Sequence, residues 1–134
     1  MRRRDFCVLL AGGPAALLAG CATARPAPFN VEGDRLAVPL TALNADGAAL
    51  LDGPLLAEPV FVRRTGGGAY TAVLLRCTHR GCTVEPAGDR LGCPCHGSEF
   101  AFTGEVLQGP ASEPLLRLPV TANGDRLLVA LPPR

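Results

Sequence analysis

Two short segments, CTHRGC at residues 77–82 and CPCHGS at residues 93–98, hold the information that decides the fold of this chain. They contain four of the six cysteines and both histidines of the 134-residue sequence. Each segment offers two thiols and one imidazole, and Gly81 and Gly97 allow the backbone to turn sharply in each. Strands predicted on either side would hold the two segments next to each other as a pair of loops.

The residues alone leave more than one interpretation open. Four cysteines of an exported chain can form two disulfides in three connectivities, with both histidines on the surface. A structural zinc site of the Cys₂His₂ type would use four of the six side chains. The close spacings, Cys-x-His and Cys-x-x-His, are unusual for zinc loops, and two cysteines would be left over. The interpretation with two disulfides does not explain why each histidine follows a cysteine within two residues.

A third interpretation uses all six side chains. At every defining position, the two segments resemble the paired motifs Cys-x-His-x-Gly-Cys and Cys-Pro-Cys-His-Gly-Ser of Rieske iron–sulfur proteins. The resemblance is clear from about residue 70 to residue 115 and weak elsewhere. It implies an all-β, Rieske-type fold of short antiparallel strands in stacked sheets, with a small subdomain that binds one [2Fe–2S] cluster per chain.

The resemblance also implies how the cluster is bound. One iron would be held by two thiolates and the other by two neutral imidazoles. The corresponding ligands in this sequence are Cys77, Cys93, His79 and His96.

The resemblance further implies that Cys82 and Cys95 form a disulfide that ties the loops together. Such a bridge closes a loop of about 14 residues, which is worth about 3 kcal/mol in the chain-entropy model. Cytoplasmic Rieske ferredoxins and oxygenases lack this pair, so the resemblance favours an exported, respiratory type.

Residues next to the ligands indicate how this chain differs from other members. Ser98 matches a serine whose hydroxyl donates to a cluster sulfur, whereas Phe100 replaces a tyrosine that donates in many high-potential members. We therefore expect a reduction potential below that of the quinol-oxidising members. Arg80 stands where those members have an apolar residue, which favours a polar protein partner over a quinone. Pro110 lies in a segment that resembles the proline loop covering the cluster.

The first twenty residues are predicted to be a signal peptide. Arginines at positions 2–4 precede an apolar run at residues 6–20, which is short for a helix that spans a membrane. The run ends in Leu-Ala-Gly-Cys, which resembles a lipoprotein box with Cys21 as the lipidated first residue. Arg3-Arg4-Asp5-Phe6 resembles a twin-arginine export signal, which suits a protein that folds around its cofactor before export. An ordinary signal peptide with a chance cysteine is the alternative.

The rest of the chain is predicted to form a lipidated tether at residues 21–33 and one domain at residues 34–134. Eight to ten short strands are expected, and glycines and a proline argue against a long helix between residues 41 and 56. The clearest strands are 35–38, 59–63, 70–75, 115–120 and 126–130. Turns are expected at residues 66–68, 87–89 and 123–124.

Charge and composition limit the function. A net charge of +1 gives no basic surface for nucleic acid. No nucleophile–base pair is visible, so an electron carrier or redox subunit is favoured over an enzyme acting alone. We expect a redox protein as partner and a lipid anchor on the outer, periplasmic face of the membrane. The alternatives are the Rieske subunit of a quinol–cytochrome c oxidoreductase and the small subunit of an exported molybdenum oxidoreductase such as arsenite oxidase.

Overall fold

The computed structural model describes residues 25–133. The predicted signal peptide and Cys21 lie outside the described residues. Within residues 25–133 the chain forms twelve strands and one short 3₁₀ turn, Leu40–Ala42. The strands are β1 (Asn30–Glu32), β2 (Arg35–Pro39), β3 (Ala48–Leu51), β4 (Val60–Gly66), β5 (Ala69–Leu74), β6 (Glu85–Ala87), β7 (Arg90–Gly92), β8 (Glu99–Phe100), β9 (Val106–Gln108), β10 (Arg117–Leu118), β11 (Val120–Asn123) and β12 (Arg126–Ala130).

The strands form three antiparallel sheets of four strands each, in the orders β1-β2-β12-β11, β10-β5-β4-β3 and β6-β7-β8-β9. We call them the first, middle and cluster sheets. The all-β prediction is confirmed. The expected number of strands was too low, because several strands are only two or three residues long and leave no recognisable apolar run. Pro119, which has no N–H to donate, also separates β10 from β11 where one strand was predicted.

The middle sheet forms part of two hydrophobic cores, because successive side chains of a strand point to opposite faces. On β4, Val60 and Val62 pack with the first sheet, whereas Phe61 packs toward the cluster sheet. Neighbouring residues of β5 divide in the same way, with Ala72 in one core and Val73 in the other. The core on the cluster side also contains the buried cysteines Cys77 and Cys93.

The predicted hairpins form. Strands β4 and β5 pair antiparallel through the glycine-rich turn, and β6 pairs with β7 across residues 88–89. Asn123 pairs with Arg126, so residues 124–125 form the turn between β11 and β12. The turn therefore lies one residue later than the predicted position.

The folded part of the chain begins before the predicted boundary at Asp34. That residue lies in the turn between β1 and β2, and β1 falls inside the segment predicted to be a tether. Farther upstream, the Ala27 N–H donates to the Leu50 carbonyl at 2.7 Å, and Phe29 packs against the core between the first and middle sheets. The error arose because β1 is short and exposed and has no buried apolar pattern. Residues 25–133 contain no helix that is long and apolar enough to cross a bilayer.

Candidate metal centre

Residues 77–82 form a tight loop that begins shortly after the end of β5 at Leu74. The Cys77 N–H donates to the Cys82 carbonyl at 2.8 Å, and the Gly81 N–H donates back to the Cys77 carbonyl at 2.8 Å. Just outside the loop, Arg76 and Thr83 form an isolated β-bridge. These bonds hold the first and last residues of the loop together, so its middle projects as a finger.

Residues 93–98 repeat this arrangement between β7 and β8. The Cys93 N–H donates to the Ser98 carbonyl at 2.8 Å, and the Gly97 N–H donates to the Cys93 carbonyl at 3.1 Å. The two loops therefore share the same hydrogen bonds at the same spacing, although their sequences differ outside the motif positions.

A glycine occupies the fifth position of both loops for a conformational reason. Gly81 has a φ of +75° and Gly97 a φ of +80°, in the region that side chains disfavour. A Cβ on Gly81 would also lie 3.3 Å from the guanidinium group of Arg76.

The two cysteines that open the loops, Cys77 and Cys93, are free thiols and are only 3% and 4% exposed. Burial alone raises the pKa of the Cys77 thiol. Hydrogen bonds to the sulfur have a larger effect in the opposite direction, so the pKa of Cys77 is lowered overall. The largest of these contributions comes from the His79 N–H and the next from the Cys93 thiol. Smaller contributions come from the Ser98 hydroxyl and the Arg80 N–H.

The Cys93 thiol has its pKa raised, chiefly by burial and also by the neighbouring Cys77 sulfur. The N–H groups of Cys95 and His96 hydrogen-bond to it and act in the opposite direction. In both loops, therefore, the N–H groups two and three residues after the cysteine lie at its sulfur. Such donors stabilise sulfur that carries negative charge, as a metal-bound thiolate does.

The two histidines lie side by side at the exposed end of the loops. The rings of His79 and His96 meet edge to face, with centroids 5.1 Å apart, and both residues are exposed. The loops thus bring two imidazoles together at the surface and two thiols together beneath it.

The predicted disulfide is confirmed: Cys82 and Cys95 are bonded, with Cα atoms 6.5 Å apart. Their sulfurs and that of Cys93 lie within 4.8 Å of one another, which places the bridge against the buried Cys93 thiol. The pairing leaves Cys77 and Cys93 unbridged, so the interpretation with two disulfides is wrong.

Ser98 connects the second loop to the proline segment. Its side chain is fully buried, and its Oγ accepts a hydrogen bond from the Ala111 N–H at 3.0 Å. The same hydroxyl can donate to the Cys77 sulfur. Pro110, in the same segment, follows a cis peptide bond and is exposed.

Two other residues singled out in the sequence lie close to the loops. Phe100 is fully buried and belongs to the same core as both free cysteines, and its ring offers no donor. Arg80 is exposed at the rim between His79 and Gly81. Its guanidinium makes no ion pair within residues 25–133.

Two further contacts that hold the loops were not predicted. The Thr78 hydroxyl donates to the Glu113 carbonyl at 2.7 Å, and the Gln108 side-chain amide reaches the Gly97 carbonyl at 3.4 Å. Each contact ties one loop to the segment around Pro110. The partners are 35 and 11 residues apart, and Glu113 and Gln108 lie outside both motif segments, so no local pattern could have identified these contacts.

The donor set fits a [2Fe–2S] cluster with mixed ligation. Two soft sulfurs are buried and accept hydrogen bonds, and two imidazoles lie at the water-exposed side. Backbone donors at both cysteine sulfurs match the negative charge that these sulfurs would carry as iron ligands.

Comparison with known proteins agrees with this geometry. Residues 41–122 match the family model of the Rieske [2Fe-2S] domain. The cyanobacterial plasma membrane Rieske protein from Synechocystis PCC 6803 has a similar crystal structure, with a TM-score of 0.58 and 37% identity. The match covers 68% of this chain and 93% of that one.

Similar curated proteins include cytochrome b6-f complex iron–sulfur subunits. The subunit of Chlorobaculum thiosulfatiphilum is 41% identical over 66 residues, which cover 48% of this chain and 36% of that protein. Subunit 2 of Trichormus variabilis is 32% identical over 105 residues, covering 72% and 59%. The chain therefore spans about one third to three fifths of the length of these relatives. The family match, the disulfide and the paired loops together establish that the chain belongs to the Rieske [2Fe–2S] family and that its cofactor is a [2Fe–2S] cluster.

Proposed function

We propose that this protein is an exported, lipid-anchored Rieske protein that passes single electrons between redox proteins. Its cluster ligands would be the two buried cysteines and the two exposed histidines, Cys77, Cys93, His79 and His96. One observation carries the proposal: the ring centroids of the two imidazoles lie 5.1 Å apart at the surface of the same two loops that bury the only free thiols of residues 25–133.

Different residues of the chain would have different roles in such a centre. The cluster, when bound, stores one electron. The core around Phe100 keeps water from the cysteine sulfurs, and the N–H groups of the two loops stabilise their charge. The histidine edges reach solvent, where a partner can approach closely. Arg80 beside them offers a cation to a partner with an acidic docking surface.

Electron transfer from the purified protein to a cytochrome tests this function. The dithionite-reduced protein is mixed with excess oxidised c-type cytochrome, and the electrons delivered per chain are counted from the haem absorbance. We expect one electron per chain. A variant without one thiol, Cys77→Ser, should deliver none. A wild-type protein that carries zinc and delivers no electron would contradict the proposal.

A second candidate is a subunit of a quinol-oxidising complex. The names of the curated relatives, cytochrome b6-f complex iron–sulfur subunits, favour it. Affinity purification from gently solubilised membranes distinguishes the two roles. Recovery with a cytochrome b protein would support a complex subunit, and recovery with a molybdenum oxidoreductase would support a small subunit of that enzyme. Recovery alone would support a separate carrier.

The proposed export and anchorage rest on the N-terminal sequence and on the disulfide. A structural disulfide persists in an oxidising compartment, which agrees with a periplasmic location. Intact-mass measurement of the membrane-extracted protein should show a chain that begins at Cys21 and carries lipid. Replacement of Arg3 and Arg4 by lysine should leave unprocessed protein in the cytoplasm if export follows the twin-arginine route.

A further inference from the structure

Leu55 lies at the centre of an exposed apolar patch that the redox site does not use. The residue is 72% exposed, more than any other large apolar side chain in residues 25–133. It lies between two shallow recesses, one walled by Pro28 and Phe29 and the other by Pro132 and Pro133. Pro54 and Leu55 line both recesses. We call the surface formed by these two residues and the two recesses the apolar patch.

Part of the backbone beneath the apolar patch offers no free hydrogen-bond donor. Its prolines have no N–H. Two further N–H groups are paired, that of Leu56 with the Gly53 carbonyl at 3.0 Å and that of Leu131 with the Asp34 carbonyl at 2.8 Å. Donors that are absent or already paired lower the cost of placing a surface in an apolar layer.

Among residues 25–133, the side chains that wall the two recesses include only two charged groups, the carboxylates of Glu58 and Asp52. The Glu58 carboxylate forms an ion pair with Arg76 at 3.4 Å, and the Asp52 carboxylate accepts a hydrogen bond from the Gly53 N–H at 2.8 Å.

The short distance along the chain from Cys21 to Ala27 supports a lipid bilayer as the surface that covers the apolar patch. Ala27 is fixed to the edge of β3 by its bond to Leu50 and lines both this patch and a neighbouring groove. Cys21, the proposed lipid-bearing residue, is six residues upstream. Six residues span at most about 20 Å even when fully extended. A lipid at Cys21 would therefore hold Ala27 and the adjoining patch within that distance of the bilayer.

We propose that the apolar patch lies against the lipid bilayer, with the Leu55 side chain in the interface between headgroups and acyl chains. This inference rests on the proposed lipid anchor at Cys21. An apolar face of this kind adds to the binding supplied by acyl chains and fixes which side of the domain faces the membrane. The redox loops would then have a defined orientation above the surface.

The chain contains no tryptophan, so one substitution introduces a unique fluorescent reporter. The full lipidated protein carrying Leu55→Trp is reconstituted into phosphatidylcholine vesicles, either ordinary or brominated on the acyl chains. Leu107→Trp is the matched control, because Leu107 is 53% exposed but lies on β9 in the cluster sheet. Unchanged visible absorbance of the cluster in both variants shows that they fold.

We expect brominated lipid to reduce the emission of Leu55→Trp and to leave that of Leu107→Trp unchanged. If both variants float with vesicles but Leu55→Trp shows no quenching, the apolar patch faces another protein or solvent, and this inference is wrong while the anchor stands. Equal quenching of both variants would also overturn it, since the domain would then have no preferred face. If intact mass shows no lipid at Cys21 and the protein does not float, the anchor and this inference both fail.

Discussion

The buried Oγ of Ser98 accepts a hydrogen bond from the N–H of Ala111, 3.0 Å away, and so joins the second cluster loop to the proline segment. The same hydroxyl hydrogen is free to donate to the Cys77 sulfur. One small side chain thus contacts both the Cys77 sulfur and the proline segment.

Ser98→Ala removes both interactions. Loss of a donor to a ligand sulfur destabilises the reduced, more negative state, so the potential should fall by about 40 mV if the bond is worth about 1 kcal/mol. The Ala111 N–H would be left without a partner, at a cost of about 1–3 kcal/mol in the free energy of unfolding. Protein-film voltammetry and denaturant unfolding measure the two effects. Ser112→Ala, at an exposed position two residues from Pro110, should change neither.

Phe100→Tyr should raise the potential. Phe100 is fully buried in the core that contains Cys77 and Cys93, so a new hydroxyl can find a partner at a ligand sulfur. One such bond, worth about 1 kcal/mol, corresponds to about 40 mV. Phe102→Tyr is the control, because Phe102 is only half-buried, stacked on Phe61 and below Arg63. A wild-type potential already equal to that of quinol-oxidising members would contradict this explanation.

Cys82 and Cys95 should contribute to the free energy of unfolding as a pair, through the bond that joins them. Replacing Cys82 and Cys95 together by serine should lower the free energy of unfolding by about 3 kcal/mol, because the bridge restricts the unfolded chain across 13 positions. Either single substitution should cost nearly as much as both, since each breaks the same bond. Urea unfolding of the three variants gives the comparison. Additive costs for the two singles would mean that the side chains act separately.

Arg80→Glu tests the exposed rim as a docking surface. If the partner presents acidic groups, charge reversal should slow the second-order electron transfer by about tenfold at low ionic strength. The difference should shrink as salt is added. Stopped-flow rates are compared after the potential of each variant is measured, so that driving force is accounted for. Arg35→Glu, on β2 in the first sheet, carries the same charge change away from the loops and should react like the wild type.

The sequence predicted the centre well because the information is local. Two six-residue segments contain both thiol pairs and both histidines, and each closes with hydrogen bonds between its own residues. The resemblance correctly implied the Cys82–Cys95 pairing, which spacing alone had left open among three connectivities. Strands β4 and β5 were also predictable, because their apolar residues are contiguous and a glycine-rich turn joins them.

Other features were beyond the sequence for physical reasons. Strand β1 is exposed, so hydrophobicity does not mark it, and it is held by its pairing with β2 and by the ion pair between Glu32 and Arg126 of β12. The bond from Thr78 to Glu113 depends on how the proline segment packs over the loops, and nothing in either neighbourhood specifies the other. The hydrogen bond that joins Ala27 to the edge of β3 is likewise a long-range contact, made by a segment that was predicted to be a tether.

The central claim is that two cysteines and two histidines of this chain bind one [2Fe–2S] cluster. The chain has only two histidines, so growth on ¹⁵N-histidine labels His79 and His96 alone. The decisive measurement is pulsed electron paramagnetic resonance of the untagged, dithionite-reduced protein with labelled and unlabelled histidine. We predict a paramagnetic cluster coupled strongly to two nitrogens, with couplings that change to those of ¹⁵N on labelling. A silent protein with stoichiometric zinc, or a cluster signal without histidine nitrogen coupling, would contradict the account.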